Sequence, residues 1–113
     1  MNFLNSDFII LNKTLLFIDK IDSLISNIPR SDYFYKDKLI SDSYLLLEYI
    51  FKANYSSDND IRSNYLTEIL TKISLIDKLL ERLYKKKYIS EKQLYTSVKL
   101  LTEVYRMVKS WLG

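Results

Sequence analysis

Apolar residues recur at alternating intervals of three and four along most of this chain of 113 residues. This spacing puts them on one face of an α-helix, whereas a half-buried strand needs strict alternation. Two series are long enough to form heptad seams, rows of apolar side chains that pack against neighbouring helices. They are Leu66, Ile69, Ile73, Ile76, Leu80 and Leu83, and then Leu94, Val98, Leu101, Tyr105, Val108 and Leu112. The chain is therefore predicted to fold as helices around a shared core.

Two earlier segments carry the same pattern. The first covers about residues 6–28, where Phe8, Leu11, Leu15, Ile18 and Ile25 form an apolar row that Ile21, Leu24 and Ile28 widen. The second covers about residues 32–53 and presents two adjacent rows that we expect to be buried. One row is Leu39, Leu46, Ile50 and Ala53, and the other is Ile40, Tyr44, Leu47 and Phe51. The third and fourth segments cover about residues 60–87 and the stretch from Ser90 to the C-terminus.

Four helices with short connections predict an all-α fold, an antiparallel up-down-up-down four-helix bundle forming a single domain over residues 1–113. Pro29 should end the first helix, and Ser31 is expected to cap the second. Residues 54–59, NYSSDN, predict a loop. Ser90 and Gln93 have the spacing of a capping box at the start of the fourth helix.

Composition removes several classes of function. The chain has no cysteine and no histidine, which excludes thiol nucleophiles, zinc fingers and histidine relays. Its one glycine is the last residue, so no glycine-rich loop is available to cradle a phosphate. The acidic pairs Asp19 with Asp22 and Asp58 with Asp60 fit solvated or capping positions rather than a metal site. We expect no catalytic residues, no metal and no cofactor, and therefore not an enzyme.

The N-terminal apolar run, residues 8–11, is too short for a signal-peptide core or a membrane span. We expect a cytoplasmic protein without membrane contact.

Charge is distributed unevenly along the chain. Residues 78–109 contain nine Lys and Arg against three Glu, a net charge of +6, although the whole chain carries only +3. Such asymmetry favours an anionic partner, RNA or DNA, held through phosphate contacts. The predicted nucleic-acid-binding strip consists of Lys78, Arg82, Lys85, Lys86, Lys87, Lys92 and Lys99. As an alternative, lysines near a helix C-terminus complement the helix dipole without any ligand.

Two further features have competing interpretations. Tyr84, Tyr88 and Tyr95 interleave with the lysines and either stack on unpaired bases or pack at the end of the bundle. Ile9 and Leu16 lie away from the main apolar face of the first helix. They predict an interface with another subunit, and the alternative is two tolerated surface residues.

Short motifs in a fixed order add a family resemblance over about residues 29–112. They are PRSDYF at 29–34, LL at 45–46, ANY at 53–55, LLERL at 79–83, SEKQ at 90–93 and RMVKSW at 106–111. Together they resemble the accessory variability determinant (Avd) family, a branch of four-helix-bundle proteins that also includes those encoded by intervening sequences of bacterial ribosomal RNA genes. The residues KSW at 109–111 depart from the family, which commonly has Gly-Gly-Trp there.

The resemblance implies a non-enzymatic accessory subunit of a diversity-generating retroelement. Such a subunit is a basic homopentamer that partners a reverse transcriptase and holds nucleic acid. Lys78, Arg82, Lys85 and Lys86 correspond to the basic stretch of the family's third helix. The rival expectation is a structural or interaction module of the ribosomal-RNA intervening-sequence type.

Overall fold

A computed structural model describes residues 8–113, within which the chain forms four α-helices. They are α1 (Ile9–Leu24), α2 (Tyr33–Tyr55), α3 (Asn59–Lys85) and α4 (Glu91–Leu112). Each helix packs on the two beside it, α1 on α2 and α4, and α3 on α2 and α4. Because the connections are short, consecutive helices run in opposite directions, and the predicted four-helix bundle is confirmed. Among the described helices, none is long and apolar enough to cross a membrane.

The heptad seam of α3 is buried as predicted. All six of its members are at most 4% exposed, and the row of α2 that begins at Leu39 is also fully buried. In α4 the seam is only partly correct, because Tyr105 is 36% exposed while Ser97 and Val104 are buried. The buried face of α4 packs against both α3 and α1, and near the end of α4 Trp111 meets Phe8 edge-on with ring centroids 6.3 Å apart.

Two other predicted rows are wrong in part. Leu15 on α1 and Tyr44 on α2 are exposed, whereas Phe17 is fully buried. Thr14 explains the error on α1, because it is a polar residue within the true core row. Its hydroxyl donates a 2.8 Å hydrogen bond to the carbonyl of Ile10, so the buried polar group has a hydrogen-bond partner within its own helix.

The helix ends follow local chemistry. A short 3₁₀-helix (Ile25–Asn27) continues α1, and Ile28 is extended before Pro29, as expected of a residue before proline. The predicted start at residue 6 lies outside the described residues. Ser31 does not cap α2, because it lies within a second 3₁₀-helix, Arg30–Asp32. The capping box of α4 is confirmed, since Ser90 and Gln93 each accept a bond from the other's backbone N–H, at 3.1 and 2.9 Å.

The connection from α2 to α3 is shorter than predicted, because α2 continues to Tyr55 and α3 begins at Asn59. Asp58 caps α3 by accepting hydrogen bonds from the backbone N–H groups of Asp60 and Ile61. The Arg62 guanidinium reaches back to the end of α2, where Nε donates to the carbonyl of Ala53 at 3.2 Å. These contacts satisfy backbone groups that both helix ends would otherwise leave unpaired.

A buried carboxylate joins α2 to α3. The Asp42 side chain is 1% exposed, and its Oδ1 lies 3.4 Å from Lys38 Nζ and 3.6 Å from Lys72 Nζ. Lys38 belongs to the same helix, whereas Lys72 comes from α3. A buried charge is costly unless it is paired, so Lys72 should contribute more to stability than a lysine in a surface ion pair.

We expect Lys72→Met to lower the free energy of unfolding by about 2 kcal/mol, because Asp42 keeps only one of its two cations. The matched control is Lys52→Met, which removes a lysine from the exposed pair with Glu48 and should cost less than about 1 kcal/mol. Urea unfolding of both variants provides the comparison. Equal costs would show that the Asp42 pairs contribute no more than a surface pair.

Candidate nucleic-acid interface

The end of α3 meets the start of α2 through a cluster of polar contacts. The Tyr88 hydroxyl donates a hydrogen bond to the Asp32 carboxylate, and Lys86 Nζ lies 3.5 Å from the same carboxylate. Lys86 Nζ also lies 5.5 Å from the centre of the Tyr35 ring, a cation–π contact. Arg82 Nε donates to the Tyr35 hydroxyl at 3.2 Å. Asp32 therefore fails to cap α2 because its carboxylate is engaged across the bundle end.

Four of the predicted cations gather at this end, and we call Arg82, Lys85, Lys86 and Lys87 the basic end. Arg82, Lys85 and Lys86 line one surface depression, and Lys85 and Lys87 line a second one beside Tyr84 and Tyr88. Because Lys85 borders both depressions, the basic end is a continuous surface. All four residues are exposed.

The acidic residues near the basic end compensate it only in part. Glu81 lies 3.5 Å from both Lys78 Nζ and Lys85 Nζ, so one carboxylate serves two lysines whose side chains are more than 70% exposed. Exposed ion pairs of this kind contribute little and are screened by salt. Lys87 has no ion-pair partner within residues 8–113.

Neighbouring lysines and Tyr88 shift the pKa values of these acids. The Tyr88 hydrogen bond, followed by the charge of Lys86, lowers the pKa of Asp32. The charge of Lys78 and the contact with Lys85 lower the pKa of Glu81. Both carboxylates therefore remain ionised at neutral pH, and Asp32 raises the pKa of Tyr88, which stays protonated.

The backbone of Lys87 adopts an unusual conformation. Its φ is 66°, in the left-handed region that glycine normally occupies after a helix. The N–H of Tyr88 bonds the carbonyl of Leu83, and the N–H of Lys87 bonds that of Tyr84, the pair of bonds that defines a Schellman motif. A side chain at this position costs about 1 kcal/mol relative to glycine.

Three further members of the predicted strip, Lys78, Lys92 and Lys99, are not among the residues that line the two depressions of the basic end. Lys78 is paired with Glu81, and Lys92 is exposed on the first turn of α4. Lys99 borders a separate depression on α4 together with Tyr95 and Arg106. Glu103 also lines that depression, and its pKa is lowered first by the hydrogen bond from Lys13 and then by nearby charges that include Lys99. Members of the predicted strip thus border depressions at the end of α3 and on α4.

The aromatic residues of the region divide in a similar way. Tyr88 is half-buried and bonded to Asp32, so it belongs to the packing of the bundle end. Tyr84 and Tyr95 are exposed. The sequence interpretation missed Phe34 and Tyr35, whose rings meet edge-on at 5.5 Å beside the basic end. The available signal was the run Tyr33, Phe34 and Tyr35, because an antiparallel bundle brings the start of α2 to the end of α3.

Residues predicted to form a subunit interface are exposed in the single chain. Ile9 is 54% and Leu16 is 51% exposed, and Leu15 adds a third exposed apolar side chain on α1. Tyr44 places another exposed ring on α2.

Within residues 8–113 no three acidic side chains come together as a metal site, and Asp19 and Asp22 are exposed. What the basic end can do chemically is to offer ammonium and guanidinium donors to phosphate oxygens.

Comparison with solved structures supports the fold. The chain is similar to a protein of unknown function from the S23 ribosomal protein family of Bacteroides thetaiotaomicron, with a TM-score of 0.84 and 18% sequence identity. The likeness covers 92% of this chain and 98% of that one. At this level of identity it shows a shared fold. No protein-family model and no curated protein sequence matches the chain.

The hydrogen bond from Tyr88 provides a test of the cluster at neutral and acidic pH. We expect Tyr88→Phe to raise the pKa of Asp32 towards its ordinary value of 3.8, because the largest cause of the lowering is removed. A carboxyl whose pKa is lowered by folding stabilises the folded state at pH values above its ordinary pKa. This contribution to stability is lost as the pH falls through the lowered pKa.

The stability difference between the wild type and Tyr88→Phe should therefore be largest at neutral pH and should shrink in acid. Urea unfolding across this range, together with an NMR titration of the Asp32 carboxyl, measures both effects. Tyr84→Phe, outside the cluster, is the control and should leave the Asp32 titration unchanged. An unshifted Asp32 pKa in the Tyr88 variant would contradict the contact.

Proposed function

We propose that this protein is a non-enzymatic nucleic-acid-binding accessory factor that holds RNA or DNA by its phosphates at the basic end. The observation that carries the proposal is the gathering of Arg82, Lys85, Lys86 and Lys87 on one continuous exposed surface. Like charges on successive helical turns repel one another, so their concentration here works against folding. A polyanion that binds there neutralises the cations and removes their repulsion. The free energy recovered in this way increases the affinity for the polyanion.

Lys87 supports this proposal independently of the charge count. Glycine would fit its left-handed backbone at lower cost, yet the position carries a long cationic side chain without an ion-pair partner in the described part of the chain. Strained backbone positions are concentrated at functional sites, where the surrounding structure holds the strained residue in place. Arg82, Lys85 and Lys86 already complement the helix dipole at the end of α3, so Lys87 adds a fourth cation there.

The decisive variant is Lys85→Glu combined with Lys87→Glu. We expect its affinity for a labelled oligonucleotide of about 16 nucleotides to fall by about tenfold, with the slope of log K against log salt shallower by roughly 1.5, because two phosphate contacts are lost. The matched control is Lys52→Glu with Lys109→Glu. This control changes the net charge by the same amount as the test variant. Its two lysines lie in the last turns of α2 and α4, at the opposite end of the bundle.

The single variant Lys87→Gly separates binding from folding. It should raise the free energy of unfolding by about 1 kcal/mol and yet weaken oligonucleotide binding, so a loss of affinity could not be attributed to unfolding. Lys85→Gly, at the last residue of α3, should instead destabilise the protein, because the backbone there is right-handed and glycine gains nothing from it. Unchanged binding in the Lys85 and Lys87 charge reversal, with circular dichroism showing intact helices, would refute the proposal.

The Avd resemblance supports a more specific role within this proposal. In that role the protein is a cytoplasmic subunit of a diversity-generating retroelement that partners a reverse transcriptase and assembles as a homo-oligomer, a pentamer in that family. Co-purification from the native host with a reverse transcriptase would support the role. Recovery of RNA or DNA without such an enzyme would leave only nucleic-acid binding.

The exposed apolar side chains of α1 support self-association, with Ile9 and Leu16 as the proposed contacts. We expect the wild type to sediment as an oligomer and Leu16→Glu to sediment as a monomer of about 13.5 kDa. Thr67→Glu, on the exposed side of α3, is the control and should not change the oligomeric state. A monomeric wild type at micromolar concentration would contradict this part of the proposal.

A second candidate function is a structural or interaction module of the ribosomal-RNA intervening-sequence type. The shared fold with a member of the S23 ribosomal protein family favours it. The two candidates differ in genomic context, since a neighbouring reverse transcriptase gene supports the first and location within a ribosomal RNA gene supports the second. They also differ in the oligonucleotide assay, because a pure protein-interaction module would not respond to the Lys85 and Lys87 charge reversal.

A further inference from the structure

Phe34 is an aromatic side chain that the folded chain leaves largely uncovered. It lies in the first turn of α2 and is 65% exposed. A tyrosine in such a place keeps its hydroxyl in water, but phenylalanine has no polar group and gains nothing from exposure. Packing within the bundle does not explain it, since its described ring contact is the edge-on one with Tyr35.

The position of Phe34 ties it to the basic end. Its ring centroid lies 5.5 Å from that of Tyr35, and the Tyr35 ring lies 5.5 Å from Lys86 Nζ. The Tyr35 hydroxyl also accepts the hydrogen bond from Arg82. Phe34 is thus separated from two cations by a single ring that both of them hold in place.

A second exposed ring lies beside the other two cations of the basic end. Tyr84 borders the depression that contains Lys85 and Lys87, on the side towards the start of α4. Each pair of cations in the basic end thus has an exposed ring near it: Phe34, through Tyr35, for Arg82 and Lys86, and Tyr84 for Lys85 and Lys87. Cations between aromatic platforms are typical of surfaces that bind single strands, in which phosphates contact the cations and bases stack on the rings.

We propose that the basic end selects single-stranded nucleic acid over duplex, with an unpaired base stacked on Phe34. This inference rests on the proposed function. The lysines alone give no such selectivity, because phosphates are present in single strands and duplexes alike. Phe34 supplies it, because the faces of bases are covered in a duplex and open in a single strand.

The experiment compares a labelled thymidine oligonucleotide of about 16 nucleotides, an abasic strand of the same length and the matching duplex. We expect the wild type to bind the thymidine strand more tightly than either of the others. Phe34→Ala should weaken binding to the thymidine strand by about tenfold and leave the abasic strand, the duplex and the salt slope unchanged. Phe34→Trp should retain the preference, whereas Phe34→Leu, which is apolar but not aromatic, should lose it.

The outcomes separate this inference from the proposed function. Equal affinity for all three ligands, with affinity still lost in the Lys85 and Lys87 charge reversal, would overturn single-strand selection and leave phosphate binding in place. No effect of either set of variants would overturn both. If Phe34→Ala leaves oligonucleotide binding unchanged but abolishes capture of a protein partner, Phe34 is a protein contact and the inference is wrong. A uridine strand in place of thymidine distinguishes RNA from DNA as the ligand.

Discussion

The buried seam of α3 determines what the rest of the molecule can present to solvent. Its six apolar residues are almost completely enclosed, and this fixes the rotation of the helix about its own axis. Once Leu80 and Leu83 point inward, Lys78 and Lys85 must point away from the core. The basic surface is therefore a consequence of core packing. Turning α3 to hide its lysines would expose the seam, and burying a single leucine already contributes about 2 kcal/mol.

The antiparallel arrangement of the bundle brings the start of α2 to the end of α3. Arg82 and Lys86 lie on the side of α3 that faces α2, where they meet Tyr35 and Asp32. Cations whose positions are held by an aromatic ring and a carboxylate lose less conformational freedom on binding than lysines on an open helix. The contacts that close the bundle end thus also hold two of the cations proposed to bind nucleic acid.

Sequence periodicity predicted the fold because burial of apolar side chains dominates the packing of the bundle. The prediction failed where a buried polar side chain finds its hydrogen-bond partner in the nearby backbone. The α3 seam is uniformly apolar and was predicted in full. The α1 core row contains Thr14, whose hydroxyl bonds the turn before it, and the pattern was misread there. Ser31 has the chemistry of a cap, but Asp32 follows it and is drawn across the bundle by Tyr88, a partner 56 positions away. Phe34 was missed for a related reason, since its significance depends on a surface assembled from two helices.

Asp32 has a further consequence for how any polyanion would be held. It is a resident counterion for Lys86, so a phosphate that takes this lysine replaces a negative charge that is already present. The net gain in binding free energy is the difference between the attraction of Lys86 to the phosphate and its attraction to Asp32. The Asp32 carboxylate keeps its hydrogen bond from the Tyr88 hydroxyl during this exchange. A contact made by exchange of this kind is weak and quickly reversed. If the proposed strand binds here, one such exchangeable position beside Lys87, which is unpaired among the described residues, would let it shift along the surface without complete release.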